Sequence, residues 1–315
     1  MEEKPSVSVV MCTYNGAKFI REQIASILQQ TYPLHEIIIQ DDNSDDETWS
    51  ILSECAARNP KITIYSNEEK HGVNGNFLSA MKRASGDFIA IADQDDIWET
   101  DKIEIQMKAI GKNLLCSGHS RPFSTDDAFA YFDERHRNVN VIRMMFLGLP
   151  GHTMLLRREL MEQLPDSSHP IFEYSMYDAA LSIIAAAHGR IIYVDFRRHT
   201  AATTYNDYSR NLPTWRNALG SLIWGCRNYR KTRERIRPLF EAKLKLLQNI
   251  HTDNADLKEA RKIMELETSH SLSAFVRLQY HCIKNSRKLF HTEGKGFVRI
   301  VRAALYPVMQ LQMYR

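Results

Sequence analysis

Four short, β-branched and almost wholly apolar runs constrain this chain most: residues 6–12, 36–40, 62–65 and 88–92. Helix-periodic stretches separate them. Ile20, Ile24, Ile27 and Leu28 recur at i, i+4, i+7 and i+8, and Trp49, Leu52 and Ala56 mark a second stripe. A third spans residues 77–84. Strands that read as continuous apolar runs are buried on both faces, and strand–helix alternation predicts a parallel sheet with right-handed crossovers. Ligands bind such sheets beyond the carboxyl ends of the strands. The residues that follow the runs are Thr13-Tyr14-Asn15, Asp41-Asp42 and Asp93-Gln94-Asp95-Asp96, so all three groups are predicted on one edge.

Carboxylates gathered on one edge repel unless a cation or ligand donors offset them. An all-oxygen set suits a hard divalent ion, Mg²⁺ or Mn²⁺, which binds through one or two carboxylates plus substrate phosphates. The competing reading is that these aspartates form turns and cap helices. It suits Asp45 and Asp46. It does not suit residues 93–96, where a cap needs one acid and three are present.

These motifs together, with Gln29-Gln30-Thr31-Tyr32-Pro33 and Ala84-Ser85-Gly86-Asp87-Phe88-Ile89 ending in Asp93-Gln94-Asp95-Asp96-Ile97-Trp98, resemble family 2 glycosyltransferases of the GT-A fold. The ending is most similar to the bacterial branch that builds surface polysaccharides, including rhamnosyltransferases. The match is dense over residues 5–110 and looser to 205. The resemblance implies an inverting transfer of a sugar from a UDP- or dTDP-linked donor to a hydroxyl of a glycan or lipid-linked acceptor. It places Thr13, Tyr14 and Asn15 around the base, with Asp42, helped by Asp41, accepting a hydrogen bond from it. Asp93 would contact the ribose and Asp95 would hold the metal, with Asp96 either supporting Asp95 or capping a helix.

Inversion also needs a base for the acceptor hydroxyl. Gly151-His152-Thr153-Met154-Leu155-Leu156 reads as a strand, and Asp178 opens an apolar helix over residues 179–188. The resembled branch has a Gly-x-Thr-Met segment before its acidic base, and Asp178 matches, although its neighbours Tyr177, Ala179 and Ala180 replace the usual tryptophans. Asp178 also stands where a helix N-cap is expected, and a helix N-terminus lowers a carboxylate pKa. Glu173 is the reserve base. Arg197-Arg198-His199 resembles the segment that approaches the metal or diphosphate; His199 is a metal ligand or a packing residue, and His152 borders the acceptor site.

The 315 residues, 25% of them charged, describe a globular chain with no apolar run long enough to span a bilayer. An acidic start leading into a strand predicts no secretory leader, and five dispersed cysteines predict reduced thiols and a cytoplasmic setting. Charge divides the chain. Residues 211–315 carry 20 Lys/Arg against 8 Asp/Glu, whereas the front is acidic. The expected organisation is a GT-A domain over 1–205, split at 110 into nucleotide and acceptor halves, and a basic helical extension over 206–315. The amphipathic pattern of residues 297–308 suits a peripheral membrane contact, a packed helix or a homo-oligomer contact. No module or aromatic interleaving points to nucleic acid. A nucleotidyltransferase would carry a Gly-rich basic loop where Thr13-Tyr14-Asn15-Gly16-Ala17 stands, and no Gly-x-Gly-x-x-Gly supports a dinucleotide oxidoreductase. A catalytically silent donor-binding relative remains the alternative to an enzyme.

Overall fold

The computed structural model describes residues 4–123, 138–194, 201–204, 215–269, 271–290 and 296–315. The expected alternation is present: β1 (Val7–Thr13), α1 (Ile20–Leu28), β2 (Glu36–Asp41), α2 (Thr48–Arg58), β3 (Ile62–Ser66), α3 (Val73–Arg83) and β4 (Phe88–Ala92). These four strands are parallel, in the order β3-β2-β1-β4. After β5 (Asp96–Ile97), α4 (Lys102–Ile110), β6 (Leu115–Gly118), β7 (Ser120–Phe123) and the single turn α5 (Val141–Met144), β8 (Leu155–Arg157) joins antiparallel to both β4 and β6. The turns α6 (Arg158–Met161) and α7 (Ile171–Tyr174) lead to α8 (Tyr177–Ala187), and β9 (Ile191–Val194) pairs parallel with β6. The result is a seven-stranded, mostly parallel sheet of GT-A type. A small second sheet, β5-β10-β7, uses β10 (Ala201–Thr204).

The period-2 alternation of each strand explains the layering. On one face Val9, Met11, Ile37 and Ile39 pack with Ile24 and Ile27 of α1 and Leu52 of α2. On the other, Val10, Ile38 and Ile91 pack with Phe77 and Met81 of α3 and Ile184 of α8. This second core continues without a break into the C-terminal helices: α9 (Trp215–Asn249), α10 (Ala255–Thr268), α11 (Leu272–Lys284) and α12 (Gly296–Met309). Phe240, Ile263, Leu278 and Tyr306 belong to it. The extension therefore packs on the sheet domain. Nor is its basic run wholly solvated, because Arg233 is buried 2.9 Å from Glu267. Among the described residues no helix is long and apolar enough to cross a membrane.

One local expectation changes. Residues 151–153 form a 3-10 turn, not a strand, and β8 starts only at Leu155. Pro150 enters extended, and the Gly151 N–H is drawn to the Asp178 carboxylate at 3.1 Å, which bends the segment out of the sheet.

Candidate active site

The carboxyl ends of β1, β2 and β4 border a cleft of about 530 Å³, closed on its far side by the 150–152 turn and the start of α8. Thr13, Tyr14, Asp42, Asp93, Gln94, Asp95, His152 and Asp178 all line it. Contributions from positions 165 residues apart thus meet in one depression, as strand polarity dictates.

Each carboxylate is held differently. Asp42 accepts from Asn67 Nδ2 at 2.6 Å, His71 Nδ1 at 3.0 Å and the Gly72 N–H at 2.7 Å. Gly72 adopts φ +91°, a conformation that suits glycine and turns its N–H onto the carboxylate. Burial alone would raise the Asp42 pKa, but these donors outweigh it and hold the group below the ordinary carboxylate range. It is a fixed, ionised acceptor.

Two expected donor contacts stand elsewhere. Asp41 is 2% exposed and does not line the cleft; its oxygens accept from Thr13 Oγ1 at 2.7 Å, Ser44 Oγ at 2.6 Å and Ser44 N–H at 2.8 Å. Its alternation-determined direction, opposite to Asp42, turns it into the fold, where it ties the ends of β1 and β2. Asn15, at φ 49°, accepts from the Asp45 N–H through Oδ1 and donates its own N–H to Ser44 Oγ. It joins two loops at the rim. His199 lies outside the described residues.

Tyr14 is 57% exposed, with its backbone clamped by Gln94, whose Oε1 accepts from Tyr14 N–H at 2.9 Å and whose Nε2 donates to Tyr14 O at 3.0 Å. The middle residue of Asp-Gln-Asp thus fixes the loop after β1. Sequence reasoning passed over it, along with Asn67, His71 and Gly72, because each acts through a contact 25 to 80 residues away.

Asp178 sits in the first turn of α8, whose N-cap is Met176. Burial drives its pKa up to about 6, against the lowering effect of the Ala179 and Gly151 N–H groups, while Asp93 adds to the rise. The helix N-terminus was expected to depress this group; desolvation wins. Gly151 has to be glycine, because a methyl there would run into the Tyr177 hydroxyl. Asn74 of α3 locks this wall: Nδ2 donates to Phe172 O and Ser175 O at 2.8 Å each, and Oδ1 accepts from Tyr177 N–H at 2.7 Å. Asn74→Ala strands these backbone groups, so a loss of about 1–3 kcal/mol is expected in urea unfolding. A wild-type midpoint would show that the loop holds without it.

Within the cleft wall, His152 Nδ1 lies 3.3 Å from Asp93 Oδ2. Ligand atoms of Asp93, Asp96 and His152 fall within 4.8 Å of one another. Both Asp96 oxygens and His152 Nε2 are buried without a hydrogen-bond partner. Burial pushes the Asp96 carboxyl well up, with Asp93 and Asp95 adding to it and His152 and Lys102 opposing. Unsatisfied buried oxygens beside further carboxylates are what a divalent cation would relieve, so the donor set fits one. The converging trio omits Asp95, which lines the cleft beside it.

Known proteins share the sequence pattern and the fold of this chain. The profile of "Glycosyl transferase family 2" matches residues 8–177. A UDP-Glc:alpha-D-GlcNAc-diphosphoundecaprenol beta-1,3-glucosyltransferase, WfgD of Escherichia coli, is 39% identical over 109 residues, covering 35% of this chain and 42% of its own. A putative teichuronic acid biosynthesis glycosyltransferase, TuaG of Bacillus subtilis, is 37% identical over 105 residues, 33% of this chain and 42% of its own. The chain thus spans about two fifths of the length of these relatives. The crystal structure of S. aureus TarS residues 1–349 with UDP superposes with a TM-score of 0.59 over 98% of this chain and 91% of that one, at 14% identity, a likeness of fold. With more than half of its length matched, from within β1 to the start of α8, the chain belongs to glycosyl transferase family 2.

Proposed function

We propose that this protein is an inverting glycosyltransferase that moves a sugar from a UDP- or dTDP-sugar to a hydroxyl of a lipid-linked glycan. The observation that carries the reading is the meeting of Asp42, Asp93, Asp95 and Asp178 around one cleft of about 530 Å³, a volume that suits a nucleotide sugar. Asp42, ionised and fixed, accepts from the base, and the exposed Tyr14 ring stacks on it. Asp93 faces the ribose. Asp95 is the proposed ligand of Mg²⁺ or Mn²⁺, with Asp93, Asp96 and His152 as the supporting donor set. Such an ion neutralises charge that grows on a leaving diphosphate.

Asp178 is the proposed base. A carboxylate with a pKa of about 6 is ionised at neutral pH yet basic enough to take a hydroxyl proton as the bond to the sugar forms. It lines the same cleft as Asp42, Asp93 and Asp95, and an inverting transfer needs its base on the face opposite the leaving group. Glu173, the reserve base, lies in α7 and does not line the cleft. The lipid-linked acceptor follows the names of relatives that act on diphosphoundecaprenol-linked GlcNAc.

A donor panel tests the reading. With Mn²⁺ present, release of UDP from UDP-glucose and UDP-GlcNAc, or of dTDP from dTDP-rhamnose, is measured with and without a lipid-diphosphate-GlcNAc acceptor. Stimulation by acceptor for one donor is expected. Metal-dependent donor binding with no turnover for any acceptor would favour the silent relative.

A further inference from the structure

We propose that α11 and the first turns of α12 form a docking face for an anionic lipid bilayer, independently of any transfer reaction. The structure divides α12 sharply. Ala303, Tyr306 and Pro307 pack into the core, whereas Phe297 (76% exposed), Val298 (66%), Ile300 and Val301 stand in solvent. Alongside it, α11 buries Ala274, Leu278 and Cys282 and exposes Leu272 (80%), Val276, Tyr280 and Ile283. Those four recur at i, i+4, i+8 and i+11, one stripe of the helix. The two helices pack on each other, joined by Gln279 Nε2 donating to Ala304 O at 2.9 Å, and both turn these residues away from the body. Eight large apolar side chains exposed on two adjoining helices are more than ordinary scatter.

Charge selects the occupant. Residues 271–315 carry eight Lys/Arg against a single acid, Glu293, and although Lys284 and Lys288 pair with Glu259 and Asp256 of α10, the excess stays basic. On α11, Arg277 and Lys284 are exposed along one flank of the apolar stripe, Lys284 being paired with Glu259 of α10 at 3.0 Å. A cleft of about 570 Å³ opens beside Leu272 between α9 and α11, with Arg230 and Glu234 both exposed at its lining. Apolar side chains at the level of acyl chains, bordered by cations at the level of phosphates, match an interfacial helix pair on acidic lipid. A second copy of the chain fits worse, because self-association would set one basic face against another. Nucleic acid would leave the apolar stripe unused.

Flotation of the full-length protein with vesicles decides. Binding is expected to phosphatidylcholine vesicles containing about one third phosphatidylglycerol, to weaken as salt rises, and to be slight on phosphatidylcholine alone. The triple variant Leu272→Ser, Val298→Ser, Phe297→Ser is expected to lower the partition coefficient at least about tenfold, and Arg277→Gln about threefold. All four positions are exposed, and unchanged circular dichroism and UDP affinity would show that each variant is folded. Equal binding to both lipid compositions, no binding by the wild type, or unaltered flotation of a folded triple variant would overturn the proposal. So would a triple variant whose only change is a shift from dimer to monomer, which assigns the face to a second copy.

Discussion

Asp178→Asn is expected to leave donor affinity within about twofold and to reduce transfer by a factor on the order of 10² or more. Asparagine keeps the shape and can still accept from the Gly151 N–H, but it cannot take a proton. The pH profile gives an independent readout. A base acts ionised, and burial holds Asp178 at about 6, so the wild-type rate should climb as pH rises through 6 and level above it. The residual rate of the variant should lack that limb. Stability should move oppositely. The folded pKa lies above the ordinary carboxylate value of about 4, so the native state holds the proton more tightly than the unfolded chain. Ionised Asp178 therefore costs stability above pH 6, and that cost vanishes as pH falls below about 4. Its full value is about 3 kcal/mol; because the group is partly exposed to the cleft, a gain of about 1–2 kcal/mol is expected for asparagine at pH 7.5. A near-normal rate with no change in stability would pass the role to another group.

The second large effect concerns the cation. Mn²⁺ is expected to strengthen UDP binding, chelation to abolish the increment, and Asp95→Ala to lose it by a factor on the order of 10². Calorimetry of UDP with and without Mn²⁺ measures this directly, without reference to turnover. His152→Asn serves as the discriminating partner. Its imidazole belongs to the converging trio, whereas Asp95 lines the cleft. Loss in His152→Asn with an intact increment in Asp95→Ala would move the ion onto Asp93, Asp96 and His152. An intact increment in both variants would remove the ion from this edge of the sheet.

Much of this site was legible because it depends on strand direction. Once residues 6–12, 36–40 and 88–92 are read as parallel strands, the groups that follow them have to share an edge, and Thr13, Asp42, Asp93 and Asp95 do line one cleft. What was not legible depends on which way adjacent side chains turn. Asp41 and Asp42 are equivalent in a motif, yet the strand alternation buries one against Thr13 and Ser44 and presents the other to the cleft. Gln94, Asn74 and His152 act through partners 80, 103 and 59 residues away, distances over which one sequence carries no pairing signal.

The order of residues alone determined the parallel sheet, the family resemblance and the convergence of acidic loop tips, because periodicity and polarity along the chain are local properties. Only the tertiary structure decided the state of Asp178 and the fate of the basic extension. A helix N-terminus and a dry cleft pull a carboxylate pKa in opposite directions, and the balance exists only once the 150–152 turn has closed over α8. Likewise, the amphipathic pattern of α12 fits packing or lipid equally well, until the fold buries Tyr306 and leaves Phe297 in water.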